Sequence, residues 1–232
     1  MINYGRQFLD KKDIISVSKI LKGDWLTQGP TIESFEEELK TFFGAKYCSA
    51  VSNGTAALHL TGVALGWKPG DIIITTPLTF LATANSILYS GATPDFVDIN
   101  PITYNIDVVQ LEKKINNLKS QNKKIKAIIA VDYAGHPCEW KELRSLSDKY
   151  SLQLINDNCH ALGATYFNSR RYATKYADVV IQSYHPVKNF TTGEGGSILT
   201  NDLELDKKVK ALRSHGITKN KSEFEKDSGP WY

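Results

Sequence analysis

The chain has 232 residues, 41% of them apolar and 23% charged, with a formal net charge of +3 at neutral pH. That length and composition suffice for one large buried core and exclude disordered, collagen-like and disulfide-stapled classes. The excess charge is carried by scattered lysines, densest in "KKINNLKSQNKKIK" (113–126), which reads as a solvated helix end and loop; no motif or aromatic-interleaved basic stripe accompanies it, so nucleic acid is not an expected partner.

The opening "MINYGRQFLDKKD" lacks the basic-then-apolar pattern of an export signal, and no window approaches roughly 18 uncharged apolar residues, so a cytoplasmic protein without a membrane segment is expected. Further on, Ile32, Phe35, Leu39, Phe42 and Phe43 recur at helical spacing and predict a helix with that face buried and Thr31 as its cap. From about residue 44, short apolar runs alternate with helical patterns. "AKYCSAV", "DIIITT", "TPDFVDI", "KAIIAVD", "LQLIND", "ADVVIQS" and "GGSILT" read as seven strands, most too continuously apolar to be half exposed. Between them, "GTAALHLTGVALG" and "CEWKELRSLSDKY" are long enough to be crossover helices, and a last helix begins behind Asp202 and stops before Gly216. The prediction is a three-layer α/β/α domain with a mainly parallel seven-stranded sheet, one unit over residues 1–232 with an N-terminal helical segment and no internal repeat or linker. Cys48, Cys138 and Cys159 have neither paired nor metal-ligand spacing; they read as small core residues in a reducing compartment, and no metal site is expected.

Ligands of such sheets collect at the carboxyl ends of the strands. After the first strand, Gly54, Thr55 and Ala56 open a helix whose free N–H groups could seat a phosphate, although ordinary capping uses the same residues. Phe80, following the second strand, could lie against a planar ring or simply pack in the core. Asp157 stands directly behind three residues of a buried strand and needs a cationic or donating partner; capping and function are equally open, and His160 is by default a hydrogen-bonded core histidine. "SYHPVKNFTTGEGGSILT" supplies the cation. Lys188 follows a strand by a few residues, where partial desolvation makes an amine a usable nucleophile toward an aldehyde; Ser183 can add a hydroxyl to a phosphate, and the glycines let the backbone fold tightly beside the lysine. Phosphate seat, stacking ring, buried acid and amine nucleophile form together the parts list for pyridoxal 5'-phosphate. A generic nucleotide-binding domain would need a glycine fingerprint, and "SNGTAALHL" is neither G-x-G-x-x-G nor a P-loop.

Stretches running almost end to end resemble the DegT/DnrJ/EryC1/StrS sugar aminotransferases, which have the fold type I architecture: "GDWLTQGPTIESFEEELKTFFGAKYCSAVSNGTAALHL", "TTPLTFLATANSILYSGATPDFVDI", "VDYAGHPCEW", "DNCHALGA", "SYHPVKNFTTGEGG" and "RSHGI". The resemblance implies that Lys188 forms the Schiff base and shuttles protons, that Asp157 partners the pyridine nitrogen, that His160 lies near the ring hydroxyl and that Phe80 stacks on the ring. It implies further that Gly54, Thr55, Ala56 and Ser183 hold the phosphate, and that Tyr4, Asp24, Trp25, Leu26 and Thr27 line a sugar-nucleotide pocket. Glutamate is the implied amino donor, C4 of a UDP-linked 4-keto-6-deoxy amino sugar the implied acceptor, and a homodimer the implied assembly; "SYHPVKNFTTGEGG" and the terminal "GPWY" are most like the branch serving pseudaminic acid biosynthesis. Lys188 argues against the related dehydratases, which carry histidine there. Two departures stand out. Asn156 occupies a place where many relatives have glutamate, and relatives continue beyond the position of Tyr232 into a small C-terminal domain, so the resemblance covers the major domain only. A truncated, catalytically silent domain acting as a dimer partner or interaction module is the competing expectation.

Overall fold

Strands that are apolar on both faces must be covered on both sides, and helices supply that cover in the computed structural model, which describes residues 5–217. Two helices, α1 (Lys11–Leu21) and α2 (Pro30–Phe43), precede β1 (Tyr47–Val51). They are followed by α3 (Gly54–Ala64), β2 (Asp71–Thr75), α4 (Leu81–Tyr89), β3 (Thr93–Phe96), α5 (Val108–Ser120) and β4 (Lys124–Val131). A 3-10 turn at Tyr133–Gly135 leads to α6 (Trp140–Tyr150), β5 (Gln153–Asp157), α7 (Tyr172–Tyr176), β6 (Val179–Ser183), β7 (Gly196–Thr200) and α8 (Leu203–Arg213).

The strands form one sheet in the order β1-β7-β6-β5-β4-β2-β3. Only β7 runs against its neighbours, pairing antiparallel with both β1 and β6. The other pairs are parallel, and β1 points the same way as β6, so the carboxyl ends of six strands lie on one edge of the sheet. Successive strand residues alternate between two cores, as a period of two demands. Ile74, Ile128, Leu154, Val180 and Leu199 pack with Leu111, Ile115, Trp140, Leu143 and Tyr172 on one face. Ile73, Ile129, Ile155, Ile181 and Ile198 pack with Ala57, Leu58, Ile87 and Val209 on the other.

All seven expected strands are present, as are the expected crossovers and the last helix, which Asp202 caps by accepting from the Glu204 and Leu205 N–H groups. Three details differ. Helix α2 is capped at Gly29 with Pro30 in its first turn, and not at Thr31, because proline's fixed φ and missing N–H suit the first helical position. Its buried stripe is Leu39 and Phe43 with Glu36, while Ile32 and Phe42 remain partly exposed. Glu36 is tolerated there because its Oε1 accepts from the Ala50 N–H at 2.8 Å and from Arg213 at 2.6 Å. Lastly, residues 113–126 do not run out as helix end and loop alone. Leu118 is buried, and β4 starts at Lys124, whose Nζ reaches the buried Asp71 carboxylate at 2.6 Å.

Among the described residues no helix is long and apolar enough to cross a membrane. Helix α1, held by a capping box between Asp10 and Asp13, buries none of its residues and leaves Ile14, Ile15, Val17 and Leu21 exposed.

One close approach ties sheet and site together. A Cβ on Gly196 would lie 2.5 Å from the Asn53 carbonyl carbon and 2.8 Å from the Gly54 nitrogen, both main chain. Gly196→Ala is therefore expected to push the start of α3 away from β7 and to cost about 1–3 kcal/mol, the range for overpacking. Chemical denaturation reads this directly, and an unchanged midpoint would refute it.

Candidate active site

The carboxyl ends of the parallel strands open into a cleft of about 640 Å3. Its walls include Asn53, Gly54 and Thr55 from the start of α3, Thr79, Phe80 and Thr83 around the start of α4, Asp157, Cys159 and His160 behind β5, and Ser183, His185, Lys188 and Glu194 behind β6. Lys188 and Asp157, 31 positions apart in sequence, thus face a single cavity.

Asp157 is the last residue of β5 and is buried. The Thr83 hydroxyl donates to its Oδ2 at 2.8 Å, and Thr83 is itself 2.7 Å from the Thr79 hydroxyl; the Cys159 N–H reaches Oδ1 at 3.4 Å. These two neutral donors leave lone pairs of the carboxyl group free for a cationic or N–H partner in the cleft. His160 stands half-buried, its ring centroid 6.3 Å from that of Tyr133. Burial, and then the charge of Lys188, lower its pKa from the usual imidazole range, with Asp157 opposing; the ring is held in its neutral form.

Lys188 lies half-buried in the loop joining β6 to β7, and among the described residues its ammonium makes no ion pair or hydrogen bond. The loop is fixed by its own hydrogen bonds. Tyr184 N–H donates to Gly195 O at 2.8 Å, the Thr191 hydroxyl donates to Tyr184 O at 2.8 Å, and Lys188 N–H donates to His185 O at 2.9 Å. Gly193 turns the chain at a φ of +81°, where a side chain would be strained.

The start of α3 presents open donors to the cleft, with one qualification. Asn53 caps the helix, its Oδ1 accepting from the Ala56 N–H at 2.8 Å, so that donor is taken and Ala56 does not line the cleft. The Gly54 and Thr55 N–H groups and the Ser183 hydroxyl meet no acceptor among the described residues. Gly54 is needed for this arrangement, since a Cβ there would sit 2.8 Å from the Ser183 Cβ. Unmatched donors from two elements, beside an unpaired lysine, fit an anionic group carrying an aldehyde.

Phe80 is 71% exposed, so packing in the core is ruled out and its ring borders the cleft. Asp24, Trp25, Leu26 and Thr27 are exposed and are not among the residues that line the cleft; Trp25 crowds Gly29, where a Cβ would lie 2.6 Å from the Trp25 Cβ. Tyr4 and the terminal "GPWY" lie outside the described residues. Thr79, Thr83, Asn53, Tyr133, His185 and Glu194 join the cleft without having been singled out by the sequence. For Thr83 a signal existed, as a hydroxyl in the first turn of a helix that follows a strand end. Burial pushes the Cys48 thiol up to about 12 and the Cys138 and Cys159 thiols well above the ordinary range, so all three stay protonated, including Cys159 at the cleft wall. No group of metal-ligating side chains occurs among the described residues.

This sheet, with an acid and a lysine at adjacent strand ends and a helix start open to an anion, has the architecture of the large domain of fold type I, pyridoxal-phosphate-dependent aminotransferases. The chain belongs to the DegT/DnrJ/EryC1/StrS aminotransferase family, whose model matches residues 7–229. It is 43% identical over 221 residues to the UDP-4-amino-4,6-dideoxy-N-acetyl-β-L-altrosamine transaminase of Campylobacter jejuni, covering 95% of this chain and 57% of that protein. The structure of Helicobacter pylori PseC, an aminotransferase of pseudaminic acid biosynthesis, superposes with a TM-score of 0.85 at 37% identity, over 99% of this chain and 58% of that one. The sugar aminotransferase Spr1654 of Streptococcus pneumoniae, in its PMP-form, superposes at 0.87 with 30% identity, covering 96% of this chain and 59% of that one. The chain therefore spans little more than half the length of the curated relatives it matches.

Proposed function

We propose that this chain holds pyridoxal 5'-phosphate in the cleft and transfers an amino group from glutamate to C4 of a UDP-linked 4-keto-6-deoxy amino sugar, in the cytoplasm and as a homodimer. The observation that carries the proposal is the convergence of Lys188, Asp157 and the unmatched donors of Gly54, Thr55 and Ser183 on one cavity. The relatives named as UDP-sugar transaminases support the choice of acceptor.

The residues divide the work by their chemistry. Gly54 and Thr55 N–H groups and the Ser183 hydroxyl bind the phosphate at the positive end of α3. Phe80 flanks the ring, and neutral His160 offers a hydrogen bond to the ring hydroxyl. Asp157 holds a proton on the pyridine nitrogen, and Thr83 keeps its carboxylate aimed into the cleft. When bound, the coenzyme supplies an aldehyde for amine exchange and an electron sink for the substrate carbon. Lys188 is the amine that would hold that aldehyde, and its Nζ, when free, would move a proton as general base and then general acid. Because one site serves glutamate and sugar in turn, ping-pong kinetics are expected.

Titration of the purified protein with pyridoxal phosphate tests the proposal: a visible yellow band should saturate, and glutamate plus the UDP-4-keto sugar should then give the amino sugar. A protein that stays colourless would favour a second reading, a silent domain that pairs with another chain. The apolar side chains exposed along α1 are the observation on that side. Acceptance of only a differently linked sugar would remove the UDP-sugar assignment and keep the aminotransferase.

A further inference from the structure

Behind the sheet from the cleft, Asp132 is wholly buried just past the end of β4. Five groups donate to its carboxylate. Cys138 N–H and Trp140 Nε1 reach Oδ1 at 2.8 and 3.0 Å, while Tyr172 Oη, Asn158 Nδ2 and Asn156 Nδ2 reach Oδ2 at 2.7, 2.7 and 3.2 Å. Burial raises the pKa of this carboxyl, and the donors from Tyr172, Cys138, Asn158 and Asn156 oppose the rise.

Two of these five donors are the immediate neighbours of Asp157. On an extended chain residues 156 and 158 point to one face and residue 157 to the other. Asp132 grips both asparagines on the far face, and its own N–H donates to Asp157 O at 3.2 Å. Asn158 is held from a second side, since Gln182 donates to its Oδ1. A one-residue slip at this strand end would turn Asp157 away from the cleft and bring an asparagine into it.

We propose that Asp132 is a positioning residue: by clamping Asn156 and Asn158 behind β5 it fixes the direction of Asp157 toward the coenzyme. The inference rests on the coenzyme reading above. It also accounts for Asn156, since a side-chain amide donor meets the Asp132 carboxylate where a glutamate would bring a second negative charge. Outer hydrogen-bond partners of this kind contribute about 10- to 100-fold to binding at metal sites, and the smaller figure is expected here.

The test compares two variants that each remove one donor from the Asp132 carboxylate. Asn158→Ala releases a flank of Asp157, whereas Trp140→Phe takes a donor from Oδ1 of Asp132 and bonds neither asparagine; Tyr172 is unsuitable as the comparison because Asn158 Nδ2 also donates to its hydroxyl at 3.0 Å. Both should lower the melting temperature. Only Asn158→Ala should raise the pyridoxal phosphate dissociation constant, by about tenfold, and shift the position of its visible band; Asn158→Asp, which keeps the volume but loses the donor, should not rescue either property. Equal dissociation constants and band positions for Asn158→Ala and Trp140→Phe would overturn the clamp and leave Asp132 a purely structural carboxylate. Failure of the wild-type protein to take up the coenzyme would instead sink the reading of the cleft, and the clamp with it.

Discussion

Lys188→Ala should reduce amino transfer about ten-thousand-fold, the upper end of what a positioned acid–base group contributes, and should abolish the yellow band formed with pyridoxal phosphate. Under the proposed function two roles would disappear with one amine, the bond that holds the aldehyde and the proton carrier at the substrate carbon. The fold should hardly notice. The ammonium has no hydrogen bond or ion pair among the described residues, and the loop is kept in place by main-chain and threonine contacts, so the melting temperature should stay within the range of a surface substitution. Measuring colour, turnover and melting together separates a lost nucleophile from a lost fold. A variant that remained yellow and active would show that another amine does the chemistry.

The largest effect on stability is expected from Trp140→Ala. Trp140 opens α6 and is fully buried, with its ring centroid 6.4 Å from that of Tyr172. Truncation leaves a cavity between α6 and the sheet and withdraws the indole N–H from Asp132, so a loss of about 3–5 kcal/mol is expected. That is a large part of the about 5–15 kcal/mol by which domains are stable. Trp140→Phe separates the two contributions: it keeps most of the volume, removes the donor, and should cost about 1–3 kcal/mol for the carboxylate left short of a partner. Urea unfolding of both variants checks the order, and equal losses would assign the whole effect to the hydrogen bond.

The strands were readable because a strand buried on both faces has to be continuously apolar, as in "DIIIT" or "KAIIAV", and because Asn53, Asp107 and Asp202 mark the starts of three of the helices that follow them. Lys188 and Asp157 stood out for a related reason, since each is a charge at the end of an apolar run. What the sequence hid depends on distant partners. Glu36 interrupts an apolar helical face for Arg213, which is 177 positions away. Thr83 is an unremarkable helical threonine until its hydroxyl is seen on Asp157. Ala56 belongs to a capping pattern that the sequence shows as readily as a phosphate seat, and only the Asn53 contact separates the two. The segment Asp24–Thr27 has no local periodicity to place it, and in the structure it is exposed and outside the lining of the cleft.

The single reversed strand bears on how the lysine loop can vary. Since β7 returns beside β6, Ser183 pairs with Gly196, and the excursion carrying Lys188 begins and ends on a single rung of the ladder. Residues gained or lost at the tip of such a doubled-back strap leave both anchor points where they were. Its length can therefore change to suit differently sized substrates while the sheet beneath keeps its registration.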